Sequence, residues 1–136
     1  MEEELREKIE ELKKCKGKNF KGLSFYVGGN SNFTFNFEEV MYFILSELKD
    51  LDDCHNSYKM VMYRKIFISV LEKLVKFRRE VNNKKIIIFQ GVFRKPHEEE
   101  IEREISHVLI TDDPIEHFIY YCGNKFDLDE LEKIFR

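Results

Sequence analysis

The segment that most constrains the fold is the last thirty residues, where short apolar runs alternate with strong capping signals. Residues 106–110 form a β-branched apolar run that predicts a strand. Asp113, Pro114 and Glu116 match an N-cap, a first-turn proline and an N3 acid, and Gly123 matches a helix end, so they predict a helix over 113–123. Residues 125–126 then predict a minimal strand, followed by a final helix that begins at Asp127.

The rest of the chain predicts three helices and two strands. Charged residues around a narrow apolar stripe predict a helix over 2–16, capping signals predict a helix from Asn36, and regularly spaced apolar positions predict the longest helix, over 57–80. Residues 23–27 and 84–89 predict strands, the second of them apolar at four consecutive positions, 86–89. Residues 97–105 are highly charged, and we interpret them as helix rather than strand.

This order predicts an α/β fold with a small, mainly parallel sheet covered by helices on both faces. Helices separate most of the strands, and an unalternated apolar strand is typical of one that is buried on both sides. The alternative is an α+β fold in which residues 23–27 and 32–37 form an N-terminal β-hairpin, because Phe33, Phe35 and Phe37 alternate with polar residues.

Length and composition predict a single domain over residues 1–136. With 43% hydrophobic and 36% charged residues, a chain of 136 residues can bury a core without disulfides or metals. We expect residues 1–17 to form a peripheral N-terminal helix and residues 18–136 the α/β core. Three widely spaced cysteines, an acidic start and the lack of a long apolar run predict an intracellular protein, cytoplasmic or nuclear, that does not bind membranes.

Two segments resemble a known family. Residues 19–29 resemble the opening strand of a BRCT domain, and residues 106–134 resemble its C-terminal half in order and spacing. The resemblance implies a four-stranded parallel sheet with three helices. It also implies a role in protein–protein docking during genome maintenance, often through recognition of a phosphorylated peptide.

The densest group of metal-ligand residue types lies near the predicted helix start at residue 113. Carboxylates and an imidazole within one turn are ligands that divalent metals accept, which suggests a metal-dependent hydrolase. The alternative is structural, because Asp113 and Glu116 already match a capping box. The group comprises Asp112, Asp113, Glu116 and His117.

Two further features could bind phosphate. Gly28, Gly29 and Ser31 follow a predicted strand, so backbone amides there could face an anion, although the same residues suit an ordinary turn. The longest predicted helix carries the main basic concentration of the chain, which could contact a nucleic acid or could be a solvated face. Its candidate residues are Lys65, Lys73, Lys76 and Arg79.

The sequence therefore favours a non-enzymatic, intracellular docking domain that binds another protein through an aromatic-bearing surface, without a cofactor. No arrangement typical of nucleophilic catalysis is visible, and the net charge of −3 gives no overall basic character. A nucleic-acid-binding protein that uses the basic helix is the first alternative. A metal-dependent hydrolase is the second.

Overall fold

The computed structural model of the chain describes residues 2–27, 37–53, 58–77, 85–95, 100–111 and 119–134. Four helices and four strands lie within these ranges. In chain order they are α1 (Glu2–Lys14), β1 (Phe20–Val27), α2 (Phe37–Asp53), α3 (Tyr58–Lys76), β2 (Lys85–Arg94), β3 (Ile101–Thr111), β4 (Ile119–Gly123) and α4 (Asp129–Ile134).

The strands form one sheet in the order β3-β2-β1-β4, and every pair is antiparallel. The prediction of a mainly parallel sheet is therefore wrong. The short connection between β2 and β3 explains part of the error, because a hairpin joins antiparallel strands whereas parallel strands need a long crossover. The Lys95 amide donates to the Glu100 carbonyl oxygen at 3.2 Å within this connection.

The alternative of an N-terminal hairpin is also wrong. Residues 22–26 of β1 pair with β2 on one side and with β4 on the other, so β1 offers no open edge there to a strand at 32–37. Phe37 begins α2 instead, and residues 32–36 lie outside the described ranges.

Two segments predicted as helix are strands. Most of the charged segment 97–105 lies in β3, where Glu102, Arg103 and Glu104 are exposed on an edge strand, a common place for charged residues. Residues 119–123 form β4 rather than the end of a helix, because pairing with β1 outweighs the local preference. The start signals of that predicted helix lie in residues 112–118, which are not described, and Gly123, its predicted end, is the last residue of β4.

Helices cover both faces of the sheet. Helices α2 and α3 pack on one face over Leu23, Phe25 and Ile88. Helices α1 and α4 contribute Leu12 and Leu131 to the opposite core, which also contains Phe20, Tyr26, Phe89 and Phe126. All four residues of the run 86–89 are fully buried, so the prediction of a strand covered on both sides is confirmed although the strand is antiparallel.

The predicted helices at 2–16 and 57–80 are confirmed as α1 and α3, and the final helix as α4. Two hydrogen bonds fasten the approach to α4 onto β1. The Tyr26 hydroxyl donates to the Asp127 carbonyl oxygen at 2.6 Å, and the Asp127 amide donates to Ser24 Oγ at 2.9 Å. Within the described residues, no helix has the length and apolar character needed to cross a bilayer.

Candidate functional site

The predicted basic face lies on one flank of α3. Lys65, Ser69, Lys73 and Lys76 follow one another at intervals of four, four and three residues, so they share one side of the helix. Arg79 lies outside the described residues, as do the phosphate candidates Gly28, Gly29 and Ser31. The flank is thus a continuous strip of three lysines and a serine.

The metal candidates Asp112, Asp113, Glu116 and His117 also fall outside the described ranges. Among the residues that are described, no three histidine, cysteine or acidic side chains come together in a group able to hold a metal ion. The metal site therefore stays a prediction.

A cavity of about 290 Å³ separates the basic flank of α3 from the edge of the sheet. Its walls are mostly apolar. Its polar groups are one lysine and one serine from α3 and one side chain each from β2 and β3. We call this cavity, with the strip of α3 beside it, the α3–β3 groove. Its lining residues are Lys65, Ile66, Ile68, Ser69, Gln90, Val92, Ile101 and Glu104.

Gln90 is the unusual residue of this groove. It stands in the middle of β2 and is fully buried, in a strand whose neighbouring positions are apolar. Its Nε2 donates to Glu104 Oε1 at 2.6 Å, whereas its Oε1 is buried without a hydrogen-bond partner among the described residues. A buried acceptor that lacks a donor costs about 1–3 kcal/mol. Gln90 therefore reduces stability at this position.

A second polar cluster lies at the opposite edge of the sheet. Tyr120 and Cys122 occupy alternate positions of β4, so both side chains face α2 and α3, where the Cys122 thiol lies close enough to the Tyr63 and Tyr120 hydroxyls to raise their pKa. Tyr120 packs on Phe43 and Phe25 with ring centroids 4.8 and 5.1 Å apart. We call Tyr63, Tyr120 and Cys122 the phenol–thiol cluster.

The tyrosines of this cluster are held in the protonated form. Burial raises the pKa of both Tyr63 and Tyr120 well above the usual 10.0, and the neighbouring Cys122 raises it further. The Glu47 carboxylate of α2 adds to the effect on the pKa of Tyr120. Both hydroxyls are protonated at neutral pH with or without this shift, so both can donate hydrogen bonds.

Helices α2 and α3, which lie beside these sites, carry net charges of opposite sign. Helix α3 contains five basic residues and one acidic residue, whereas α2 contains six acidic residues and one basic residue. An anionic ligand is therefore attracted to the α3 side of this face and repelled from the α2 side.

The sequence did not reveal either polar cluster. Tyr120 and Cys122 were assigned to a helix, where residues two apart point in different directions, and only a strand brings them to the same face. The aromatic residues expected at the surface are not all exposed: Tyr42 on α2 is 74% exposed, but Tyr63 is only 7% exposed. The sequence did contain a signal for Gln90, because this glutamine interrupts an otherwise apolar run of residues.

The fold places the chain in a class of small domains in which one antiparallel sheet is covered by helices on each face. The eRF1 domain 1 family model matches residues 2–136, and the chain belongs to this family. The resemblance to BRCT domains is wrong, because it requires a parallel sheet and the family match covers nearly every residue. Short strands and capped helices are too common to distinguish the two families.

Relatives of the chain are larger proteins. It is 25% identical over 131 residues to peptide chain release factor subunit 1 of Archaeoglobus fulgidus, covering 96% of this chain and 30% of that protein. It also shares its fold with the crystal structure of the archaeal translation termination factor aRF1, with a TM-score of 0.73, 20% sequence identity and coverage of 96% and 33%. A second solved structure, described as an archaeal protein, matches with the same TM-score and identity. The chain thus spans about a third of the length of these relatives.

Proposed function

We propose that this chain is a non-enzymatic domain that acts in translation termination, binding the ribosome where a stop codon is presented. The observation that carries the proposal is the match of the eRF1 domain 1 family over residues 2–136. The relatives named as a peptide chain release factor and a translation termination factor support it. On this proposal the partner is a ribonucleoprotein rather than the docking protein expected from the sequence. The location is the cytoplasm, one of the two locations expected from the sequence.

The phenol–thiol cluster is our candidate for the contact with codon bases. Exposed bases of single-stranded RNA are recognised by aromatic side chains and by hydrogen bonds to their edges. Tyr120 and Cys122 are both partly exposed and lie on β4, which pairs with β1, and the Tyr120 hydroxyl is protonated at neutral pH and can donate a hydrogen bond. The acidic surface of α2 argues that the cluster contacts bases rather than phosphates.

The test measures binding of the full chain to ribosomes that carry a stop codon or a sense codon in the decoding site. We expect several-fold tighter binding to the stop-codon complex. Equal binding to both complexes, or none, would show that the proposed function is wrong.

Tyr120→Phe tests the site separately from the function. This variant removes one hydroxyl and keeps the ring that packs on Phe43 and Phe25. We expect the preference for the stop codon to fall by about fivefold, the effect of one hydrogen bond of about 1 kcal/mol. Tyr42→Phe is the matched control, because Tyr42 is 74% exposed on α2. An unchanged preference in Tyr120→Phe would exclude the cluster while leaving the function intact.

A further inference from the structure

The α3–β3 groove lies on the other side of α3 from the phenol–thiol cluster, and it has the features of a second ligand site. The buried Oε1 of Gln90 is an acceptor without a partner among the described residues. Gln90 lines the groove together with Lys65 and Ser69, which supply an ammonium and a hydroxyl. A ligand that donates to Gln90 would satisfy an acceptor whose isolation otherwise costs stability.

The volume and walls of the groove limit the size and shape of its ligand. At about 290 Å³ the cavity is just below the ~300–1,000 Å³ range of small-molecule sites, so only a small ligand fits. Its apolar walls come from both sides, Ile66 and Ile68 from α3 and Val92 and Ile101 from the sheet. Such walls favour one planar ring with polar atoms on its edge over a flexible chain.

The charges near the groove disfavour a cation as its ligand. Lys65 stands at the groove and is exposed, and α3 has five basic residues against one acidic residue. The acid of the groove, Glu104, already accepts a hydrogen bond from Gln90 Nε2 at 2.6 Å. A neutral ring is preferred, with an amino group that donates to Gln90 Oε1 and a ring nitrogen that accepts from Ser69 or Lys65.

We propose that the α3–β3 groove binds an amino-bearing nucleobase, such as adenine, with Gln90 Oε1 accepting from the exocyclic amine. Glutamine is a recurrent partner of adenine in base recognition. Lys73 and Lys76 continue along the same flank of α3, where they can contact phosphates attached to the base. Because Oε1 is buried, an adjacent side chain must rotate to admit the ring, and Lys65 is an exposed side chain at the groove. This site does not depend on the proposed function.

The first experiment compares two probes that differ by one amino group, adenosine 5′-monophosphate and purine riboside 5′-monophosphate. Binding to the full chain is followed by NMR, through the side-chain amide signals of Gln90. We expect these signals to shift with the adenosine compound and the purine riboside compound to bind about tenfold more weakly. Equal affinities, or Gln90 signals that do not move, would overturn the proposal.

Two variants complete the test. Gln90→Leu removes the acceptor and keeps an apolar side chain, and it should lower the affinity for the adenosine compound to that of the des-amino probe. Lys65→Met changes an exposed residue, so it folds whatever the outcome for Gln90→Leu, and it should weaken both probes equally. Unchanged affinity in both variants would overturn the site. Tyr42→Phe on α2 is the control that leaves binding unchanged.

A further comparison separates RNA from a free nucleotide as the source of the base. A six-nucleotide oligoadenylate should bind at least tenfold more tightly than the mononucleotide at low salt, and Lys73→Gln with Lys76→Gln should remove this advantage. That result supports RNA as the ligand. An oligonucleotide no tighter than the mononucleotide supports the same base site with a free nucleotide as its ligand.

Discussion

A methyl group added at Gly91 should destabilise the chain, because one aromatic ring covers two paired glycines. Gly22 of β1 lies directly opposite Gly91 of β2, and the ring of Phe20 lies against both. A Cβ at Gly91 would be 2.6 Å from Phe20 Cζ and 2.8 Å from the Lys21 carbonyl oxygen. Neither neighbour can move easily, since Lys21 is held in the sheet and Phe20 packs between Phe93 and Phe126 with both ring centroids at 4.9 Å.

The size of the effect follows from two opposing contributions. Overpacking of a filled core costs about 1–3 kcal/mol, and the rigid carbonyl places Gly91→Ala near the upper end. Alanine regains about 0.5–1 kcal/mol, because glycine loses more conformational freedom on folding. We expect Gly91→Ala to lower the free energy of unfolding by about 2 kcal/mol, measured by urea unfolding followed by circular dichroism.

Gly123→Ala is the matched control. Its closest obstacle is the hydroxyl of Tyr121 at 2.7 Å, which is the end of a half-buried side chain and can rotate. We expect this variant to lose less than about 1 kcal/mol. The mechanism is tested by a double-mutant cycle with Phe20→Leu, in which the smaller side chain should relieve the Gly91→Ala clash by about 1 kcal/mol or more. Additive losses, or a neutral Gly91→Ala, would refute this account of the glycine pair.

Three other predictions concern buried polar groups. Ser24→Ala should lower the free energy of unfolding by about 1–2 kcal/mol in urea, because the Asp127 amide loses its acceptor; a neutral result contradicts this. Gln90→Leu should raise the free energy of unfolding by about 1 kcal/mol, because it removes a buried acceptor without a partner among the described residues; an unchanged or lower melting temperature contradicts this. Stability should also fall between pH 10 and 11, because three tyrosines with a raised pKa stay protonated in the folded chain while the unfolded chain ionises near pH 10: Tyr26, Tyr63 and Tyr120. Each contributes about 1 kcal/mol over that interval, and a flat urea midpoint from pH 9 to 11 contradicts this.

The sequence predicted the elements whose signals are local and missed those that depend on strand pairing. Helices α1 and α3 were predicted correctly because their apolar stripes are spaced within one continuous segment each. The strand at 119–123 was assigned to a helix, because its partner, β1, is about a hundred positions away. The long apolar run at 86–89 identified a doubly covered strand, but apolar content does not distinguish parallel from antiparallel neighbours.

The candidate sites were predictable only where the helix pattern was correct. Lys65, Lys73 and Lys76 share a flank of α3 because their spacing is helical, and the sequence contained that information. The partners of this flank, Gln90 and Glu104, lie on β2 and β3, and the segment with Glu104 was assigned to a helix. The phenol–thiol cluster needed the strand periodicity of β4, so it could not be assembled from the sequence.

The placement of β1 between β2 and β4 has a consequence for how the chain folds during synthesis. The hydrogen bonds of Tyr26 and Ser24 to Asp127 join residues 101 and 103 positions apart. At about 5–20 residues per second, the central strand therefore waits roughly 5–20 s after its own synthesis before its second neighbour exists. Contacts this distant in sequence also make folding slow. Throughout that interval one edge of β1, next to the buried Phe25, is open to pairing with other nascent chains, so the yield of native protein should depend on how quickly β4 is made.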